Sequence, residues 1–364
     1  MISRRYSNLV TIILVLALLI SCSPATILQE TATPTPNDEP QPQEENGGLE
    51  ISGEFVNGLR LIGEGVYETE DTGVLFPEPD TFGDRQRSSL DGKIAQYNRM
   101  LADYPEINFY AFYLDLIQYS ANNPLNDRIP GADAGRSLEY FMANKPDGLT
   151  LDTLPLTSFE DYLKYYFRTD HHWNVHGMLA GYAKIHKMLS KEYPEISPMY
   201  PHDKIYTFPD IEFVGTWARR LNYRARPEPF EVVILDLPVY KTYDSSGVEI
   251  DVNFKDEYLA GEYAKEFFTD HYVEYYRKSK IGFLEYISEN GSDRNLLIIR
   301  DSYSNAIEPL LISHYHHTYC VDIRRLPDYY FSLSEFLSQY EVDDILFIGG
   351  ASVIMYEWQW TINP

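Results

Sequence analysis

Three short runs near the C-terminus, Asn295 to Ile299, Thr318 to Ile323 and Asp344 to Ile348, limit the folds open to this chain more than any other feature. Each is apolar over most of its length without alternating apolar and polar positions. A strand that is apolar at consecutive positions has both faces covered, which is the condition of a parallel strand packed between helices. Helical stretches from about Asn305 to His314 and from about Leu333 to Tyr340 separate the runs, so the order is strand, helix, strand, helix, strand, then Gly349-Gly350. That alternation predicts β-α-β units, hence an α/β fold of three layers with a mostly parallel sheet. Upstream, Ile94, Tyr97, Met100 and Leu101 recur at helical spacing before the aromatic strand Asn108 to Leu114, a further helix-to-strand unit.

In such sheets ligands bind beyond the carboxyl ends of the strands. The run Leu296-Leu297-Ile298-Ile299 breaks there into Arg300-Asp301-Ser302-Tyr303-Ser304-Asn305, which places Ser302 at that edge. A serine hydroxyl becomes a useful nucleophile only when a base takes its proton and a carboxylate orients the base. Asp170-His171-His172-Trp173 supplies both. In extended backbone the side chains at i and i+2 project to one side, so Asp170 orients His172, and His171 is the second choice of base. Ser158 starts one helix ahead of this tetrad. Asn174 caps another, whose Val175, Met178, Leu179, Tyr182, Ile185, Met188 and Leu189 form an apolar stripe. Backbone N–H groups of the turn at Ser302 and after it are candidate oxyanion donors, and Asn305 is either a side-chain donor or a cap.

A zinc reading of Asp170, His171, His172 and His176 is the weaker one. His172 and His176 are spaced i, i+4, but Asn174 as a cap puts His172 outside the helix, and no general-base Glu follows His172. His314, His316 and His317 are spaced too irregularly for ligands, and no cofactor motif occurs, so neither a metal nor a cofactor is expected. Cys320, in the apolar run Tyr319-Cys320-Val321, reads as a buried inert thiol.

Location is legible at the other end. Arg4 and Arg5 precede the apolar stretch Leu9 to Ile20, which ends in Leu19-Ile20-Ser21-Cys22. The stretch is shorter than the roughly 20 residues of a membrane span and reads as a lipoprotein signal peptide, residues 1–21, with lipidation at Cys22. Residues 22–50, rich in Pro, Thr and Gln, read as a disordered linker. Residues 51–364 form one α/β domain, with an inserted region of strands and loops around 201–252. The expected location is extracytoplasmic, anchored to the cell membrane through the lipid. Loss of Arg4 and Arg5 takes the formal charge from −25 to −27, because 30 basic residues become 28 against 55 acidic ones. That charge disfavours nucleic acid as a partner. The 31 Tyr and 18 Phe residues supply flat amphipathic rings suited to sugars, or simply an aromatic core.

Tyr166-Phe167-Arg168-Thr169-Asp170-His171-His172-Trp173 together with Ile299-Arg300-Asp301-Ser302-Tyr303-Ser304-Asn305 resembles the bacterial DHHY protein family, an SGNH hydrolase-like group similar to the periplasmic proteins of alginate O-acetylation. The resemblance covers most of the mature chain in order of elements and implies an SGNH-like fold with the catalytic residues Ser302, His172 and Asp170. His171, Trp173, Tyr303 and Asn305 are supporting positions. Phe213-Val214-Gly215-Thr216 matches a small-residue turn in which Gly215 donates to the oxyanion. Trp173 stands where the family name has Tyr, and Asp301 where the alginate proteins have Thr.

The implied activity is O-acyl, chiefly acetyl, transfer or de-esterification on a cell-surface polysaccharide. The implied partners are that glycan and, as acyl donor, a membrane-bound O-acyltransferase. The competing readings are a non-catalytic glycan-binding envelope lipoprotein and a metal-dependent hydrolase.

Overall fold

The three apolar runs become neighbouring parallel strands at the middle of a sheet. The computed structural model describes residues 53–364 apart from 155, 253–254, 277–280, 323, 326–330, 357–361 and 364. The expected signal peptide, the lipidation site Cys22 and the whole of the linker lie outside the described residues. In chain order the described elements are β1 (Leu59–Gly63), β2 (Val66–Thr69), β3 (Leu75–Pro77), α1 (Asp84–Asp103), β4 (Asn108–Tyr113), α2 (Arg136–Asn144), β5 (Leu149–Thr153), α3 (Phe159–Tyr165), α4 (Val175–Leu189), β6 (Ile205–Phe213), α5 (Thr216–Arg220), β7 (Glu228–Val233), β8 (Tyr240–Tyr243), α6 (Lys255–Leu259), α7 (His271–Tyr276), β9 (Phe283–Ser288), β10 (Asn295–Arg300), α8 (Glu308–Ile312), β11 (His317–Asp322), β12 (Phe331–Ser332), α9 (Leu333–Gln339), β13 (Asp344–Gly349), α10 (Ala351–Ile354) and β14 (Ile362–Asn363).

Among the described residues the central sheet has seven strands in the order β5-β4-β13-β10-β11-β9-β8. The first five run parallel, and β9 and β8 add antiparallel at one edge. In β10, Leu296 and Ile298 face a core shared with Met178, Tyr182 and Ile185 of α4. Leu297 and Ile299 face the opposite core, shared with Tyr97 and Met100 of α1, Phe141 of α2 and Leu333 of α9. Successive strand residues point to opposite faces, so a run without alternation is what a strand between two helical layers requires. The architecture is therefore the three-layer α/β fold anticipated from the alternation. Cys320 is buried on β11.

Some boundaries differ from expectation. The helix expected over 305–314 is a 3₁₀ turn, Ser302–Ala306, followed by the short α8. Pro309 lacks the N–H that would bond back to the Asn305 carbonyl, so the two pieces do not merge. The stretch 201–252 divides. β6 and β7 pair with each other outside the central sheet, whereas β8 bonds to β9 and forms the sheet edge. Four residues with one apolar pair carry too little pattern to reveal that strand.

Two local devices hold the loop between α3 and α4, where Asp170 and His172 lie. The Ser158 hydroxyl accepts from the Asp161 N–H at the start of α3, and the Asn174 side chain accepts from the His176 and Gly177 N–H groups at the start of α4. The Leu75 N–H of β3 donates to the Arg168 carbonyl (2.7 Å), tying the small sheet β1–β2–β3 to the loop.

Candidate active site

β10 ends at Arg300, between the carboxyl ends of β13 and β11, and Ser302 opens the turn just beyond. The Asp301 side chain caps this turn. Its Oδ1 accepts from the Tyr303 N–H (2.9 Å), and its Oδ2 accepts from the Gly350 N–H at the end of β13 (3.1 Å). The nucleophile turn is thus fastened to the neighbouring strand.

The folded chain brings Ser302, His172 and Asp170 into line. His172 Nε2 lies 2.8 Å from Ser302 Oγ, and His172 Nδ1 lies 2.6 Å from Asp170 Oδ1. The same Oδ1 accepts from the backbone N–H of His172 (2.9 Å). Asp170 is fully buried and His172 nearly so. Burial alone would raise the Asp170 pKa, but the facing imidazoles of His172 and His171 and the hydrogen bond from His172 hold it well below the usual carboxylate range. An ionised carboxylate only accepts hydrogen bonds, so Nδ1 carries the ring proton and Nε2 is left to accept from the Ser302 hydroxyl.

The supporting positions resolve one by one. Trp173 Nε1 donates to the Tyr303 carbonyl (3.0 Å), and the Tyr303 hydroxyl donates to the His171 carbonyl (2.8 Å), so the two loops lace together across the site. His171 Nδ1 sits 3.4 Å from Asp170 Oδ1, and its ring lies 4.0 Å from that of His172, centroid to centroid. Burial and the adjacent His172 bring the His171 pKa down to about 3, so its ring is neutral at pH 7.

Three expectations change. Gly215 does not offer its N–H to an oxyanion, because that group donates to Thr169 Oγ1 (2.7 Å). Its use is steric: a Cβ there would meet Asp170 Cβ at 2.2 Å, so only a glycine lets α5 come this close to the carboxylate. Asn305 neither caps the turn nor reaches the rim, because Asp301 already caps and the turn tucks Asn305 beneath, where its Oδ1 accepts from Arg300 Nη1 (2.8 Å). Of the turn's backbone donors, Tyr303 N–H is taken by Asp301 Oδ1 and Ser304 N–H by the Asp301 carbonyl. The Ser302 N–H has no protein acceptor among the described residues.

Sequence reasoning missed several side chains. Thr216 donates to Asp170 Oδ2 through its backbone N–H (2.6 Å) and its hydroxyl (2.9 Å). Tyr272 of α7 stacks on the His172 ring (centroids 4.0 Å apart, planes 16° apart) and donates to the Ser302 carbonyl (3.2 Å). Glu228 of β7 accepts from the N–H groups of Arg168 (2.8 Å) and Thr169 (3.2 Å), and burial lifts its pKa to about 7. No local pattern marks these residues, which come from elements 30 or more positions from the groups they bond.

Asp170, His171 and His172 lie close enough together to be weighed as a metal site, but His176 is not among them. It lies on the exposed side of α4, 3.7 Å from Glu231. Asp170 Oδ1 and His172 Nδ1 also spend their lone pair and proton on each other.

Fold and site together define an α/β protein with serine, imidazole and carboxylate aligned at the carboxyl ends of a parallel sheet. No family profile and no curated protein matches the chain by sequence. Its fold is that of Bacillus cereus PatB1, at 19% identity, TM-score 0.60, and coverage of 78% of this chain and 96% of that one. PatB1 with a sulfonyl adduct superposes similarly, at 18% identity, TM-score 0.59, and 80% and 95% coverage. A DHHW family protein from Eubacterium siraeum also shares the fold, at 19% identity, TM-score 0.55, and 82% and 94% coverage. The four letters of that family's name are spelled by Asp170-His171-His172-Trp173 of this chain, so Trp173 is no departure from that pattern. The O-acetyltransferase domain of Pseudomonas putida AlgJ superposes at 12% identity and TM-score 0.47, covering 79% of this chain and 90% of that one.

Proposed function

We propose that this chain is a serine-dependent O-acyl, chiefly acetyl, transferase or esterase that acts outside the cytoplasm on a cell-surface polysaccharide. The observation that carries the reading is the unbroken hydrogen-bond line from Ser302 Oγ through His172 to Asp170, with spacings of 2.8 and 2.6 Å. Ser302 Oγ attacks the acyl carbonyl while His172 Nε2 takes the hydroxyl proton, and the resulting imidazolium returns that proton to the departing oxygen as the acyl–oxygen bond breaks. Water or a sugar hydroxyl then gives its proton to His172 as it attacks the acyl-enzyme carbonyl, and the imidazolium returns that proton to Ser302 Oγ as the acyl–Oγ bond breaks. Asp170 stays ionised and stabilises the imidazolium. The Ser302 N–H has no competing acceptor among the described residues and serves the oxyanion, a donor worth about 3 kcal/mol in comparable sites.

Two further observations support the reading. PatB1, whose fold this chain shares, carries a sulfonyl adduct in one structure, and sulfonyl groups attach to activated nucleophiles. The laced contacts Trp173–Tyr303–His171 and the stacked Tyr272 hold the three groups rigidly, as catalysis requires. The remaining parts of the proposal follow the resemblance. They are a signal peptide over 1–21, a lipid anchor at Cys22, a glycan acceptor, and a membrane-bound O-acyltransferase as acyl donor when the acceptor is a sugar.

The test is to treat the full chain with a fluorophosphonate probe and read the intact mass. One adduct on the wild type and none on Ser302→Ala is the expected outcome; a Ser302→Ala chain that still takes the probe overturns the assignment. Metabolic labelling with an alkynyl fatty acid, lost in Cys22→Ser, checks the anchor.

A further inference from the structure

We infer that Thr216 and Arg219 are positioning residues that extend the Ser302–His172–Asp170 line by two members, and that Arg219 joins the support behind Asp170 to the support on His172. The inference rests on the functional reading above for its meaning but not for its geometry. Asp170 uses Oδ1 for His172, and its other oxygen, Oδ2, takes both donors of Thr216 at 2.6 and 2.9 Å. A buried carboxylate so bound on both oxygens cannot rotate. The direction of the Thr216 proton is also set from behind. Arg219 Nη2 donates to Thr216 Oγ1 (3.1 Å), so the hydroxyl accepts from the guanidinium and its own hydrogen points to Asp170.

Arg219 is itself anchored. Nη1 donates to the Val214 carbonyl (3.2 Å), and Nη2 pairs with Asp270. Asp270 stands directly before α7, where its Oδ1 accepts from the Val273 N–H (3.1 Å) and its carbonyl from the Glu274 N–H (2.8 Å). α7 presents Tyr272, the ring stacked on His172. One guanidinium therefore links the segment that grips Asp170 to the helix that covers His172. The charged and titratable groups around this pair include His171, Arg219, Glu228, Tyr162, Tyr272 and Tyr303, and the three tyrosines are neutral because burial holds their pKa values above the ordinary one.

Removing the Thr216 hydroxyl leaves the Asp170 charge less shared on Oδ2 and more concentrated toward His172, and it frees the carboxylate to tilt. The first effect stabilises the imidazolium, and the second misaligns Nε2 against Ser302. A lost hydrogen bond to a charged group corresponds to about a tenfold change or more in an equilibrium or rate.

The experiment compares full-length wild type with Thr216→Val, Thr216→Ser and Arg219→Gln by two readouts. One is the second-order rate of fluorophosphonate adduct formation across pH, and the other is the titration midpoint of the His172 ring by NMR. Expected are an adduct rate about tenfold lower in Thr216→Val, a His172 midpoint moved upward, values near wild type in Thr216→Ser, and an intermediate loss in Arg219→Gln. The inference is overturned if Thr216→Val keeps both the rate and the midpoint, or if Thr216→Ser is as impaired as Thr216→Val. Should Thr216→Val fail to fold, Arg219→Gln decides: unchanged values overturn the inference. A wild type that takes no adduct defeats the functional reading alone, because the His172 midpoints still test the positioning role.

Discussion

Gly215→Ala is the substitution whose cost the structure specifies most closely. The added Cβ would lie 2.2 Å from Asp170 Cβ and 2.6 Å from both its Cα and N. Carbon atoms in contact prefer about 3.5–4.0 Å, so the start of α5 and the catalytic loop must part by more than about 1 Å. All of the clashing atoms are backbone or Cβ, so no rotamer change relieves the overlap. Parting breaks the Gly215 N–H bond to Thr169 (2.7 Å) and the Thr216 N–H bond to the Asp170 carboxylate (2.6 Å). A neutral bond is worth about 1 kcal/mol and one to a charged group about 2, a loss of roughly 3 kcal/mol. For a domain of this size that lowers Tm by roughly 6–12 °C. A shift of about 1 Å at a general base costs around a hundredfold in rate. Thermal unfolding by circular dichroism and the second-order rate of fluorophosphonate labelling measure the two effects. A Gly215→Ala chain that melts within about 2 °C of wild type and labels within about twofold, both well inside the losses estimated above, would refute the close-approach argument.

Three further outcomes are expected. Trp173→Phe keeps an aromatic ring but leaves the buried Tyr303 carbonyl without its 3.0 Å donor, which should cost about 1–3 kcal/mol in urea unfolding; an unchanged midpoint would contradict the lacing role. Half-buried His171 and buried His314 and His271 are pushed down to about 3, 3 and 4, so the unfolded chain binds their protons first and stability falls as pH drops below the ordinary histidine value. Glu228 and Asp115, raised to about 7 and 6, act oppositely, since the folded state keeps protons that the unfolded state releases and stability falls as pH rises through that window. Glu228→Gln should therefore steepen the loss of stability between about pH 6 and 4.5 by around 1.4 kcal/mol per pH unit, and an unchanged slope would remove Glu228 from this balance. Dialysis against EDTA should leave the labelling rate of Ser302 unaltered; loss with zinc-dependent recovery would instead favour the metal reading of Asp170, His171 and His172.

Ser302 was legible because an apolar run ending in a polar turn marks a strand's carboxyl end wherever the rest of the sheet lies. Asp170 and His172 were legible because their relation is local: two residues apart in extended chain, they meet whatever the global fold. The three C-terminal strands and the caps Ser158 and Asn174 follow from pattern and short-range hydrogen bonding in the same way. Tertiary structure alone decided what surrounds these groups. Thr216, Tyr272 and Glu228 reach the site across 46, 30 and 60 or fewer positions of sequence from the residues they bond, and contacts of that range leave no periodicity behind. It also turned Gly215 from a donor into a point of close approach, put Asn305 beneath the turn, and made β8 and β9 an antiparallel edge. Ser302 and His172, 130 positions apart, come within 2.8 Å. Local chemistry names the candidates, but only the packing of both helical layers on one sheet brings them within hydrogen-bond reach.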